Sequence, residues 1–300
     1  MQEIALKYQR NTMEFISHGE KCTAWFYLPE CGSPPPVVIM AHGFAAEKNF
    51  ALPKYAEKFA SEGLAVLLFD YRCFGESTGN PRNYVNPFHH VEDWKSAVKF
   101  IKSCDKIDNK KIALWGSSFS GGHVIYAGAQ IKGLSAIVSQ VPHVDGIALM
   151  FKSSPIKTLN AIFYSLLDIF STYLSKKPYY VKVVGAKSEF AAMNSEESLP
   201  GYTAMIPKNS KWENKVPAKI FLLLLLYSPL LKAKKVKYPT LVIAARHDSL
   251  IPYKAVKLTA MRIRRVDFIS LGCNHFAPYM GKWHEQCIAA ELLFLKKHLI

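Results

Sequence analysis

The strongest constraint on the fold is a rhythm of short, largely apolar runs, each followed by an amphipathic stretch. The runs are Val37–Ala41, Ala65–Phe69 and residues 112–115, 134–139, 240–244 and 266–270. A strand packed on both faces needs apolar residues at successive positions rather than alternate ones. Residues 52–62, 91–101, 123–131, 253–261 and 284–298 repeat apolar residues at helical spacing. Leu52, Tyr55, Ala56 and Phe59 do so, for example, just before Gly63, the glycine that ends the helix. Strands alternating with helices imply a mostly parallel sheet covered on both faces. Ahead of them, residues 13–17 and 22–28 alternate apolar and polar, as the two half-buried strands of a hairpin do. The expected fold class is therefore α/β, a mostly parallel eight-stranded sheet flanked by helices.

The rhythm lapses from about residue 146 to 235, where Lys, Ser, Tyr and Leu dominate. An inserted, mainly helical cap accounts for that shift. The expected division is a core with residues 1–145 as its first part and 238–300 as its second, interrupted by a cap at 146–237. Charge follows the same division. Residues 151–238 hold 14 lysines against 5 acids, a net +9 of the chain's +15. A basic surface suits nucleic acid, an anionic membrane or an acidic ligand, or is simply a solvated lysine face. No zinc-finger spacing, RNP1-like segment or basic zipper region is present, so nucleic acid is not an expected partner.

The longest apolar run, residues 220–231, is 12 residues, too short to span a bilayer and suited to a buried or interfacial helix. The first seven residues lack an apolar leader core. Cys22, Cys31, Cys73, Cys104, Cys273 and Cys287 form no CxxC pair, as expected of a reduced, cytoplasmic protein.

Ligands of such sheets bind beyond the carboxyl ends of the strands, so chemistry is sought just after each run. Residues 112–115 deliver Gly116-Ser117-Ser118-Phe119-Ser120-Gly121-Gly122 and a helix follows. A serine on a sharp strand-to-helix turn needs small residues two positions before and after it, and Ser118 has Gly116 and Ser120. Ser117 would have Trp115 and Phe119 there, and Ser120 would sit one helical step too late. Ser118 is thus the candidate nucleophile. A serine hydroxyl needs a base held in the right tautomer by a carboxylate, in the chain order Ser, acid, His. His275, between the last strand and the last helix, is the candidate base. Asp248, after residues 240–244, is the candidate acid, with Asp145 as its rival. The N–H groups of Phe119 and Phe44 are the candidate oxyanion donors, with Gly43 supplying unusual backbone dihedrals and His42 fixing the loop. His89, His90, Glu92 and Asp93 complete no metal site and read as a helix start with acids in its first turn. His123 is placed on the helix after Ser118, and Cys273 is read as packing. No cofactor or metal is expected.

Met40-Ala41-His42-Gly43-Phe44, Asp70-Tyr71-Arg72 with Gly75-Glu76-Ser77-x-Gly79, Gly116-x-Ser118-Phe119-Ser120-Gly121-Gly122-His123, Asp248 and His275 together resemble the α/β-hydrolase fold. More narrowly, they are similar to the bacterial branch of serine aminopeptidase-like and Xaa-Pro dipeptidyl-peptidase-like hydrolases, and to fungal polyketide transferases. The resemblance covers roughly residues 20–145 and 238–300. It implies an esterase, thioesterase, peptidase or acyl transferase, without choosing among them.

The expected function is hydrolysis of a small-molecule carboxylic ester or thioester through an acyl-enzyme. Phe151, Phe163, Tyr164, Leu166, Leu167, Phe170 and Tyr173 are the expected apolar wall for the acyl chain. Competing readings are a lipid-directed phospholipase or acyltransferase, a peptidase, and a non-hydrolytic binding module. The lipid reading lays the basic cap and the leucine run 221–226 on a membrane. Oligomeric state is left open by the sequence.

Overall fold

A computed structural model of the chain describes residues 6–300, so the leader-free reading of the N-terminus lies mostly outside the described residues. The first elements are β1 (Tyr8–Ser17), β2 (Glu20–Pro29), β3 (Val37–Ala41), α1 (Pro53–Ser61), β4 (Ala65–Phe69) and α2 (Pro87–Lys102). Next come β5 (Ile112–Ser117), α3 (Phe119–Gly128), β6 (Ala136–Gln140), α4 (Gly146–Lys152) and α5 (Pro155–Ser175). They are followed by β7 (Tyr180–Val184), β8 (Ala191–Met193), α6 (Ser198–Thr203), β9 (Val216–Pro217), α7 (Ile220–Leu225) and α8 (Pro229–Lys232). The chain ends with β10 (Thr240–Ala245), α9 (Tyr253–Arg262), β11 (Val266–Leu271) and α10 (Gly281–Leu299).

Eight strands form one sheet in the order β1-β2-β4-β3-β5-β6-β10-β11, and β2 alone runs against the others. Every residue of β3, β4, β5, β6 and β10 is buried, because helices cover both faces. On one face, Tyr55 and Phe59 of α1 and Leu292 and Leu295 of α10 pack against Val38, Met40 and Trp115. On the other, Trp94 of α2 and Val124 of α3 pack against Ile39, Leu67 and Leu114. The fold class expected from the apolar runs is the one observed.

Differences lie in element ends. The hairpin begins at Tyr8, five residues before the alternation is legible, because residues 9–12 lie exposed on the sheet's edge. Helix α2 starts at Pro87, with the Asn86 side chain accepting the Phe88 N–H, and no acid lies in its first turn. That corrects the reading of Glu92 and Asp93 as first-turn acids: Asp93 is buried one turn further on, paired with Arg72. Between β6 and β10 the chain is mainly helical but also builds a small sheet, β8-β7-β9. The apolar stretch 220–231 is broken by Leu226-Tyr227-Ser228 into α7 and α8. Among the described residues, no helix is long and apolar enough to cross a membrane.

Candidate active site

The turn between β5 and α3 holds Ser118 at φ 58 and ψ −120, a conformation an L-residue adopts only under constraint. The constraint is tight packing on either side. A Cβ on Gly116 would stand 2.3 Å from the Ser120 carbonyl oxygen, and one on Gly122 would stand 1.9 Å from that of His143. Gly116 thus lets the turn close, and Gly122 lets α3 abut the loop after β6. The position usually held by a second glycine tolerates Ser120 because its hydroxyl fits a polar niche, 2.8 Å from the Tyr71 hydroxyl. That buried partnership, 49 residues away in sequence, leaves Ser120 no access to a histidine base.

The turn after β5 and the loops after β10 and β11 meet at the carboxyl ends of these parallel strands. Ser118 Oγ lies 2.9 Å from His275 Nε2, and His275 Nδ1 lies 2.6 Å from Asp248 Oδ2. An ionised carboxylate only accepts, so Nδ1–H donates to it and Nε2 is left to accept from the serine hydroxyl. The other Asp248 oxygen accepts the N–H groups of Leu250 at 2.8 Å and Ile251 at 2.7 Å. The His275 and Asp248 side chains are 2% and 4% exposed, which keeps competing water from the pair. Asp145, the rival acid, instead caps α4, accepting the Ala148 N–H at 2.8 Å and the Ser228 hydroxyl at 2.8 Å.

The Phe44 and Phe119 rings meet edge-on at 5.5 Å, and both residues line the cavity onto which Ser118 opens. Gly43 does not supply unusual dihedrals, which corrects that expectation: the left-handed residue of the loop is Ala45, at φ 49. Gly43 is required for space, since its Cβ would sit 3.2 Å from the Ser118 Cβ. His42 donates from Nδ1 to the Gly43 carbonyl at 3.0 Å, and burial drives its pKa down to about 4, so it holds the loop as a neutral ring.

Sequence reasoning missed two supports. Under the turn, Ser117 Oγ meets the Tyr279 hydroxyl at 2.7 Å and the Gln140 amide at 2.8 Å, with Tyr55 donating to Gln140 at 3.0 Å. Above it, Glu197 accepts the Ser249 N–H at 2.9 Å and the His275 N–H at 3.3 Å, tying both loops to the N-terminus of α6. No local pattern marks a glutamate whose partners lie 52 and 78 residues away. His123, on α3 as expected, forms a buried pair with Tyr227 at 2.6 Å and meets His90 at 3.3 Å. Burial holds both imidazoles neutral, their pKa values well below the usual histidine range.

Ser118 and His275 open into a cavity of about 630 Å³. Its apolar lining comes from Leu149 and Met150 of α4, Ile162 of α5, Phe190, and Phe221 and Leu225 of α7. None of the seven residues expected to form the acyl wall is among those lining it. Phe151 points outward from α4, and for the six on α5 the reason is that helix's orientation. Its polar side is locked inward: Asp168 accepts the N–H groups of Tyr179 and Lys219, each at 2.8 Å, and Ser165 donates to Ala218 at 2.8 Å. Phe163, Leu166, Phe170 and Tyr173 consequently face outward. The leucine run expected at a membrane lines the cavity instead, apart from Leu223 and Leu226.

The chain is 34% identical over 285 residues to the quorum-quenching protein AidA of Acinetobacter baumannii, an alignment spanning 95% of this chain and 94% of AidA. Thiohydrolase aneE of Aspergillus aculeatus is 40% identical over 134 residues, 44% of this chain and 42% of aneE. Among solved structures, the α/β hydrolase GrgF from Penicillium superposes with a TM-score of 0.82 at 23% identity, covering 97% of this chain and 99% of GrgF, a likeness of fold. The sequence profile of the serine aminopeptidase S33 hydrolases matches residues 32–287, and the chain belongs to that α/β-hydrolase family.

Proposed function

We propose that the protein hydrolyses a small-molecule carboxylic ester or thioester through an acyl-enzyme on Ser118. The observation that carries this is the hydrogen-bonded chain Ser118–His275–Asp248, at 2.9 and 2.6 Å, opening into an apolar cavity of about 630 Å³. Ser118 Oγ attacks the carbonyl carbon while its proton passes to His275 Nε2. The resulting oxyanion takes hydrogen bonds from the Phe44 and Phe119 amides. Collapse expels the alcohol or thiol, which collects the proton from His275, and leaves the acyl ester on Ser118. Water, deprotonated by His275, repeats the attack and releases the acid. Relatives named as thiohydrolases support a thioester or the related ester as the bond broken. The cavity volume lies in the range of small-molecule sites and suits a medium-length acyl chain.

Peptide substrates fit less well. An α-amine needs a free carboxylate, yet Glu189, Glu196 and Glu213 are paired with Lys182, Lys187 and Lys215. Asp168 and Glu197 are occupied by backbone N–H groups.

Fluorophosphonate labelling of wild type and Ser118→Ala, beside turnover of p-nitrophenyl acetate, butyrate and octanoate, tests the proposal. Wild type is expected to label and turn over, and Ser118→Ala to do neither while melting at the same temperature. An unlabelled wild type, or a mutant with full turnover, refutes it.

A further inference from the structure

Helix α5 is amphipathic with its sides reversed. Ile156, Leu159, Phe163, Leu166, Phe170 and Tyr173 recur every three or four residues along its whole length, and each is 56–76% exposed. At 100° per residue they form a single stripe about 100° wide. The inward side carries the buried Ser165 and Asp168, both held by backbone partners in the loops beneath. A helix that buries its polar residues and presents a continuous apolar stripe is built to be covered.

The charges at the C-terminal end of the stripe point to what covers it. Lys176 and Lys177 lie just after α5, both exposed, whereas Lys152 before it turns to the cavity, its ammonium donating to the Asp248 carbonyl at 2.8 Å. Neither Lys176 nor Lys177 has a carboxylate partner among the described residues, and the only acid on α5 is the buried Asp168. An antiparallel pair of copies on this face would offer these lysines no acid from α5, and a parallel pair, about a two-fold axis along the helices, would set Lys176 and Lys177 of one against those of the other. The parallel arrangement is repulsive. An anionic lipid surface meets both lysines at once while the stripe sinks into the headgroup–acyl boundary. We infer that α5 docks the protein, lying flat, on an anionic membrane. Its flank and the neighbouring α4 supply Ile162, Leu149 and Met150 to the cavity, so docking sets the cavity wall against the lipid.

Cosedimentation of the full chain with vesicles tests this, using phosphatidylcholine alone and phosphatidylcholine mixed with phosphatidylserine, at low and high salt. Wild type is expected to bind the anionic vesicles at least about tenfold more tightly than the neutral ones, with the preference erased by salt. Phe163→Glu/Phe170→Glu is expected to lose that binding while hydrolysing p-nitrophenyl butyrate at the wild-type rate. Lys176→Glu/Lys177→Glu, which leaves the stripe intact, is expected to weaken it by about tenfold or more. Ser118→Ala is expected to bind like wild type, so the inference stands or falls apart from the proposed chemistry. Absence of binding at low salt, equal binding to neutral vesicles, or binding unchanged in both surface variants overturns it. So does a dimer in sedimentation that Phe163→Glu/Phe170→Glu dissociates while wild type ignores vesicles, which would give the face to a second copy.

Discussion

Asp248→Asn isolates the role of the acid, because the structure dictates which way the new amide must point. Asp248 Oδ1 accepts two backbone N–H groups, from Leu250 at 2.8 Å and Ile251 at 2.7 Å. An asparagine there must keep its carbonyl oxygen toward those donors. The reversed orientation would face an NH2 against two N–H groups and forfeit two hydrogen bonds, each worth about 1 kcal/mol. Its NH2 therefore replaces Oδ2, 2.6 Å from His275 Nδ1, and donates where the carboxylate accepted. The imidazole answers by moving its proton to Nε2, which then points at Ser118 Oγ and can no longer take the serine proton. Loss of the base in this constellation costs about 10⁴ in kcat, or about 5.5 kcal/mol. Steady-state turnover of p-nitrophenyl butyrate, with a thermal melt to show an intact fold, measures it. Asp145→Asn serves as the control, since asparagine caps a helix as well as aspartate does and the fall there is expected to stay within about threefold. Asp248→Asn within tenfold of wild type, or the larger loss falling on Asp145→Asn, would refute the reasoning.

Two further substitutions test the frame around the site. Glu291 is wholly buried, and among the described residues neither carboxylate oxygen has a hydrogen-bond partner of good geometry, the Trp115 indole only partly offsetting the burial. Burial raises its pKa from 4.5 to about 8, so the folded protein keeps a proton that the unfolded chain surrenders. Stability is then lost as pH rises from the unfolded value to the folded one, and Glu291→Gln removes that loss. Its advantage over wild type in urea unfolding is expected to widen by about 3 kcal/mol between about pH 5.5 and about pH 8; parallel pH profiles would dismiss the buried neutral acid. Gly122→Ala places a methyl 1.9 Å from the His143 carbonyl oxygen and forces α3 away from the loop after β6. A cost of about 3 kcal/mol, read as a melting temperature several degrees lower, is expected. An unchanged melt would mean that this contact is slack.

The sheet was legible because burial on two faces leaves a continuous signature: β3 and β4 have no exposed residue and no polar one. The edges were not, since Gln9, Arg10, Asn11 and Thr12 are exposed and carry no alternation to read. Ser118 and His275 were legible for a local reason. The turn that strains Ser118 demands small neighbours, and chain order singles out the histidine. Glu197 and the Tyr55–Gln140–Ser117–Tyr279 network are held together only by the tertiary fold, so no window of sequence contains them.

Helix α5 shows why a correct pattern can still give a wrong surface. Its apolar stripe is plain in the sequence, and a stripe ordinarily turns inward. Orientation, however, is a competition between two sides. Turning the stripe inward would expose Ser165 and Asp168 and strand the part-buried amides of Tyr179 and Lys219 and the buried carbonyl of Ala218. Those amides are satisfied by a carboxylate, so each such bond is worth about 1.5–3 kcal/mol. Full burial of an apolar side chain contributes about 1.5–3 kcal/mol, but the stripe keeps that prospect by finding a cover outside the chain. The loops after α5 and β9 need Asp168, whereas the stripe needs only something apolar to lie against. The internal contact therefore settles the orientation, and the outward stripe becomes a surface while α7 and the inner flank of α5 are left to shape the cavity over Ser118.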